Sequence, residues 1–241
     1  MDKKIINEIL AYKNEPRSKI LARFFKTGKG QYGEGDLFLG ITVPISRKIA
    51  RKYFNISFSE IEKLIKNKYH EVRLVAILIL VHKYKLIKSF TKEDMSKRKE
   101  IVDFYLSQTK YINNWDIVDL SAHYIVGDYI YFSKGKYVHK IEKLAKSKNL
   151  WERRIAIIST FAFIYKKESK LTIKIVKMLL GDKEDLIHKA CGWMLREVGK
   201  RVSEGDLIKF LNQNISYIPR TTLRYATERL PEETRLYYLK Q

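Results

Sequence analysis

Apolar residues along this 241-residue chain recur at the three- and four-residue steps of amphipathic helices. The pattern predicts helices over 69–84, 115–131, 136–148, 150–167, 184–201 and 220–230. Pro44, Pro219 and Pro231 stand where helices should begin, positions that tolerate the missing N–H. No Asn-Gly or Asp-Gly pair joins alternating runs, so hairpins are not expected. Only 11 glycines and 4 prolines punctuate the chain, roughly half the usual share, which favours long helices over a many-turned β fold. The one glycine-rich stretch, 28–40, reads as an ordered loop.

The helices repeat. Glu71, Arg73, Ile77, Leu80 and Tyr84 match Glu152, Arg154, Ile158, Phe161 and Tyr165 at identical spacing, along one helical face. Asp119, Arg154, Lys189 and Arg224 stand 35 residues apart, each in the early part of a predicted helix. Helix pairs at such a period describe a HEAT-like solenoid, in which equivalent positions form a column on one surface. The expected fold is therefore all-α: a HEAT-like α-α superhelix with a concave basic groove, one curved domain over residues 1–241.

Charge narrows the partners. Lys and Arg total 48 against 27 acids, a net +21, which costs the compact state self-repulsion and points to a polyanion. Nucleic acid leads, an anionic membrane surface is second, and a generally basic proteome is the bland alternative. Between Lys134 and Arg154 there are eight basic residues and two acids. Lys136, Lys140 and Lys143 form a stripe opposite Tyr137, Ile141 and Leu144. It is a solvated face at minimum, and a track for a phosphate backbone in the functional reading. A lone Cys191 excludes an internal disulfide framework and a cysteine zinc site. The longest apolar run, Leu74 to Val81, is too short for a membrane helix, and Met1-Asp2-Lys3-Lys4 leads into no signal-peptide core. A soluble, cytoplasmic protein is expected.

Common catalytic motifs are missing: no His-Glu-x-x-His, no Gly-x-Ser-x-Gly, no Walker loop. The glycines of 28–35 follow a helical stretch and not a strand, which argues against a dinucleotide fingerprint. His70, His82, His123, His139 and His188 lack ligand spacing, so no metal or cofactor is expected. Three features remain. Trp115 and Asp119 lie four residues apart and project ~40° apart on a helix. Asp119 is the anion of an otherwise cationic column: either a structural hydrogen-bonding group, or a carboxylate that stabilises developing positive charge or orients water. His123, four residues on, is a packing residue or a partner of Asp119. Trp193 points ~130° from the apolar face of its helix, beside Lys189, Arg196 and Lys200. It is a stacking platform for nucleic acid, or it is covered by a neighbouring repeat. Arg154 heads an apolar stripe and needs an anion, a phosphate or a carboxylate such as Glu152. Arg73 has the same setting, so a salt bridge common to the repeats would explain both. Trp151 reads as core.

The sequence resembles the AlkD-type DNA alkylation-repair glycosylases from about residue 20 to 240. The resemblance rests on Phe38-Leu39-Gly40-Ile41-Thr42-Val43-Pro44, Asn114-Trp115-Asp116-Ile117-Val118-Asp119, Leu150-Trp151-Glu152-Arg153-Arg154 and 189–197, in order. It implies a monofunctional glycosylase that excises cationic alkylpurines, such as 3-methyladenine and 7-methylguanine, from duplex DNA. It further implies action without flipping the lesion into a pocket, contrary to the usual logic. Trp115, Asp119 and Trp193 would meet the lesion nucleotide as catalytic residues, with Arg154 nearby. Lys189, Arg224, Lys136, Lys140 and Lys143 would bind DNA. Phe24 occupies the place of a family tyrosine, and Tyr32 is the residue left to supply its hydroxyl. The expected protein is a monomer without metal, cofactor or membrane partner. Neither a lyase lysine motif nor a helix-hairpin-helix signature is present. The competing reading is a non-catalytic HEAT-repeat module for nucleic acid or protein, RNA included. Such a binder has no use for Asp119 among cations.

Overall fold

The computed structural model describes every residue from Met1 to Gln241, and its architecture is all-α. The chain forms two compact units, Met1–Ser121 and Ala122–Gln241. The first contains α1 (Asp2–Leu10), α2 (Glu15–Phe24), α3 (Val43–Lys52), α4 (Phe58–Ile65), α5 (His70–Leu86), α6 (Lys92–Ser107) and α7 (Trp115–Asp119). The second opens with a π-helical turn, His123–Gly127. It continues through α8 (Asp128–Phe132), α9 (Val138–Ala145), α10 (Leu150–Ser159), α11 (Phe161–Tyr165), α12 (Lys170–Leu179), α13 (Asp185–Arg201), α14 (Glu204–Asn214), α15 (Arg220–Ala226) and α16 (Glu232–Lys240). No helix is long and apolar enough to cross a membrane.

Met1–Ser121 is built around α5. Every residue from His70 to Val81 is buried: Leu74–Val81 is apolar all round, and His70, Glu71 and Arg73 are buried with partners. Helices α3 and α4 flank it, and α1, α6 and α7 also touch it. A capping box at Ser57 and Glu60 starts α4. In Ala122–Gln241 the inner helices are α10 and α13. They pack on each other and on α12, with α9 against α10 and both α14 and α15 against α13.

Two expected long helices are interrupted. The stretch 115–131 is α7, a turn, the π-helical turn and α8; 150–167 is α10 and α11. At both breaks a hydroxyl bonds back to the preceding turn. Ser121 donates to the carbonyl of Ile117, Ser159 to Ile155 and Thr160 to Ile157. Such back-bonding competes with the helical ladder, and the apolar period does not register it. Helix α9 starts at Val138, so Lys136 lies in the turn before it. Helix α15 stops at Ala226, short of the expected 230.

The repeat is real, but its register differs by one residue from the expected match. Helices α4 and α9 start 80 residues apart, as do α5 and α10. Ile61-Glu62-Lys63-Leu64 thus pairs with Ile141-Glu142-Lys143-Leu144. Arg73 donates to the carbonyls of Asn67 and Lys68 and to Asp36 at 2.7 Å. Arg153 does the same with Ser147, Lys148 and Asp182. The counterpart of Arg73 is therefore Arg153. Two adjacent arginines made Arg154 fit the spacing equally well. The 35-residue interval marks helix starts: Trp115, Leu150, Asp185 and Arg220 open α7, α10, α13 and α15, and Asp119, Arg154, Lys189 and Arg224 are each the fifth residue.

The glycine-rich stretch is an ordered loop, and one buried side chain anchors its C-terminal end. Glu71, 2% exposed, accepts the backbone N–H groups of Leu39 at 2.9 Å, Gly40 at 2.8 Å and Ile41 at 3.1 Å. A carboxylate taking three buried donors is a strong anchor, since each orphaned donor carries its own desolvation cost. Glu71→Ala should therefore lower the unfolding free energy by about 3–5 kcal/mol in chemical denaturation. A loss under about 1 kcal/mol would show that the loop is held otherwise.

Candidate nucleic-acid interface

Helix α7 is short, but it keeps Trp115 and Asp119 on one side. Both are partly exposed, while Asp116, Ile117 and Val118 between them are buried. Asn114 starts the helix, its side-chain oxygen accepting the Trp115 N–H at 2.8 Å. The Trp115 indole stacks on Phe25, with ring centres 5.1 Å apart and planes 19° apart, and meets the edge of the exposed Phe24 at 5.9 Å. Its Nε1–H donates to the Tyr32 hydroxyl at 3.1 Å. The loop thus brings a phenol to this indole although residue 24 is Phe. Asp119 ends the helix. Burial, with a smaller push from the Asp119 charge, raises the pKa of the Tyr105 hydroxyl, which is bonded to Ser121.

Behind α7 lies a buried cluster that the sequence reading missed. Asp36 ion-pairs with Arg73 at 2.7 Å, accepts from the Asn114 amide at 3.1 Å and lies 3.4 Å from His70 Nδ1. His70 Nε2 lies 2.8 Å from Asp116. Two carboxylates thus face an imidazole and a guanidinium, and the buried charges sum to zero, as such burial requires. Burial disfavours a charged His70, but Asp116 and then Asp36 outweigh it and raise the pKa to about 9. Asp36 is itself held below the usual carboxylate range: burial would raise it, but His70, Arg73 and Asn114 prevail. Phe38 stacks on His70 at 4.5 Å. No local spacing signals the cluster, because Asp116 stands 46 positions from His70 and Asp36 stands 37 from Arg73.

In Ala122–Gln241, Lys189, Trp193, Arg196 and Lys200 occupy the outer side of α13, while Ile187, Ala190, Cys191, Met194, Leu195 and Val198 are buried. The Trp193 ring is partly exposed and meets the Phe161 edge at 5.6 Å. Phe161 continues to Tyr165, 51% exposed, and Arg201 lies over both rings. His123 belongs to this aromatic group, beside Tyr124 and Phe161. Helix α15 approaches closely at Gly192, where a Cβ would stand 2.6 Å from the Thr222 carbonyl oxygen. Cys191 is a buried thiol whose pKa burial pushes up. Trp151 is core.

The cationic column is not uniform. Arg154, expected on an open groove, is 5% exposed, and its guanidinium donates to the Leu186 carbonyl as α13 begins. Lys189 is partly exposed and pairs with Asp185 at 2.8 Å, a surface contact of little strength. Arg224 is exposed. Lys136 and Lys143 are exposed and Lys140 partly so, with Lys136 and Lys140 over the Tyr137 ring.

A family model described as DNA alkylation repair enzyme matches residues 5–230. The chain belongs to this family. Its fold is shared with a predicted DNA alkylation repair enzyme from Enterococcus faecalis: TM-score 0.70, 19% identity, covering 91% of this chain and 97% of that one. The smu.31 protein of Streptococcus mutans UA159 is also similar, with TM-score 0.57 and 18% identity, covering 89% of this chain and 100% of that one. A comparison with curated proteins finds no match.

The His70 cluster makes stability depend on pH. The folded pKa of about 9 lies above the ordinary 6.5. Its contribution is thus complete below about pH 6.5 and is lost as pH rises through about 9. About 3 kcal/mol is at stake at one pKa unit per 1.36 kcal/mol. Denaturant unfolding from pH 6 to 10 should show this decline in the wild type and a much flatter profile in His70→Gln. Parallel profiles would contradict a charged His70.

Proposed function

We propose that this DNA alkylation repair enzyme is a monofunctional glycosylase that excises cationic alkylated purines, of the 3-methyladenine and 7-methylguanine type, from duplex DNA. The observation that carries this reading is the shared outer side of α7, where an indole and a carboxylate stand together above a buried scaffold. An N-alkylated purine already bears positive charge, so its glycosidic bond is weak and no strong general acid is needed. As that bond breaks, its electron pair neutralises the purine and leaves an oxocarbenium-like sugar. The Asp119 carboxylate stabilises that charge and orients the water that adds to C1′, taking up the water's proton. The face of Trp115 adds cation–π attraction, and Trp193 offers the nucleic acid a stacking face on its own unit.

Lys136, Lys140, Lys143, Lys189 and Arg224 serve the phosphate backbone in this proposal, which the net charge of +21 favours. Buried Arg154 contributes by holding the Leu186 carbonyl at the start of α13 rather than as an open phosphate contact. The protein acts as a monomer, without metal or cofactor.

Asp119→Asn removes the negative charge with little change in shape. Single-turnover release of 7-methylguanine should fall by ~10²–10³, while affinity for the same duplex holds or improves. Wild-type release by this variant would falsify the catalytic assignment and favour a non-catalytic binding module. Equal losses of binding and release would make Asp119 structural.

A further inference from the structure

We propose that Tyr32 is a positioning residue for Trp115, which makes the glycine-rich loop a wall of the site; its catalytic consequence rests on the glycosylase reading above. The Trp115 side chain has one polar atom, and Tyr32 takes it. The stack on Phe25 fixes the plane of the indole, but a half-turn about its Cβ–Cγ bond keeps that plane and exchanges the two edges of the ring. The bond from Nε1–H to the Tyr32 hydroxyl, 3.1 Å, selects which edge of the ring faces the loop. The same hydroxyl lies 3.5 Å from the Phe24 carbonyl, at the end of α2.

The loop can serve as a fixed support because it is built closely. Gly33 lies so near α2 that a Cβ would stand 2.3 Å from the Phe25 carbonyl oxygen. Its N–H donates to Lys26 at 3.2 Å, and Lys26 itself takes a φ of 51°. Gln31 caps the Gly28 N–H at 3.0 Å, and Glu34 accepts from Gly30 at 2.7 Å. Four residues beyond Tyr32, Asp36 is bonded to Asn114, the residue before Trp115. The phenol and the indole are thus tethered at both chain positions, so little ordering entropy remains to oppose their bond.

The test is Tyr32→Phe, read first in the free protein. Three indole N–H signals are available, from Trp115, Trp151 and Trp193, and loss of one in Trp115→Phe assigns it. In Tyr32→Phe the Trp115 signal should move upfield and exchange with solvent about 3–10-fold faster, while the other two stay. Single-turnover base release at saturating methylated duplex should slow by about 3–10-fold, with affinity changed by less than about twofold. An unmoved Trp115 signal would overturn the proposal. So would movement of all three signals with a lowered melting temperature, or equal losses of affinity and rate. If the wild type releases no base, the glycosylase reading fails, and the indole signal alone decides whether Tyr32 holds Trp115.

Discussion

Four buried charges govern the Met1–Ser121 unit: Asp36 and Asp116 against His70 and Arg73. Burying ions costs several kcal/mol each unless every one is paired, so removing any member strands the others. The pairing therefore constrains three chain segments together. Asp36 closes the glycine-rich loop, His70 and Arg73 belong to the first turns of α5, and Asp116 lies in α7. Asn114, bonded to Asp36, is also the cap of α7. Trp115 and Asp119 are presented as they are because their helix has little freedom to turn.

The chemistry that the proposed glycosylase reading asks of such a site is modest. A cationic leaving group needs electrostatic help and oriented water rather than a strong acid, and a carboxylate beside an indole offers both. The Ala122–Gln241 unit carries a different kind of surface. Trp193, Phe161 and Tyr165 run as aromatic neighbours, with Arg201 over two of the rings and lysines and arginines along the outer side of α13. This arrangement suits sequence-tolerant contact with nucleic acid, in which rings stack and cations meet phosphate.

Much of this was legible in the sequence. The apolar period located α5, α9, α13 and α15 and the two stretches that hold α7, α8, α10 and α11, and the 35-residue interval marks the starts of four helices. The outward placement of Trp193 followed from the face opposite Ile187, Met194 and Val198. What was not legible depended on contacts rather than period. Back-bonding by Ser121, Ser159 and Thr160 breaks two helices whose apolar pattern runs on unbroken. Adjacent Arg153 and Arg154 concealed a one-residue shift in the repeat, because only the hydrogen bonds of Arg153 match those of Arg73. The bond between Tyr32 and Trp115 joins residues 83 positions apart, beyond any local pattern.

The protonation state of His70 tests the four-charge cluster most directly. Ring-nitrogen NMR shifts, followed from pH 6 to 10 on protein labelled at histidine, report it without recourse to activity. Both nitrogens should remain protonated at pH 7.5 and titrate together near pH 9, the value to which Asp116 and Asp36 raise the ring against the effect of burial. A neutral imidazole at pH 7.5, with one nitrogen bare, would contradict the cluster as the device that holds α7 in place.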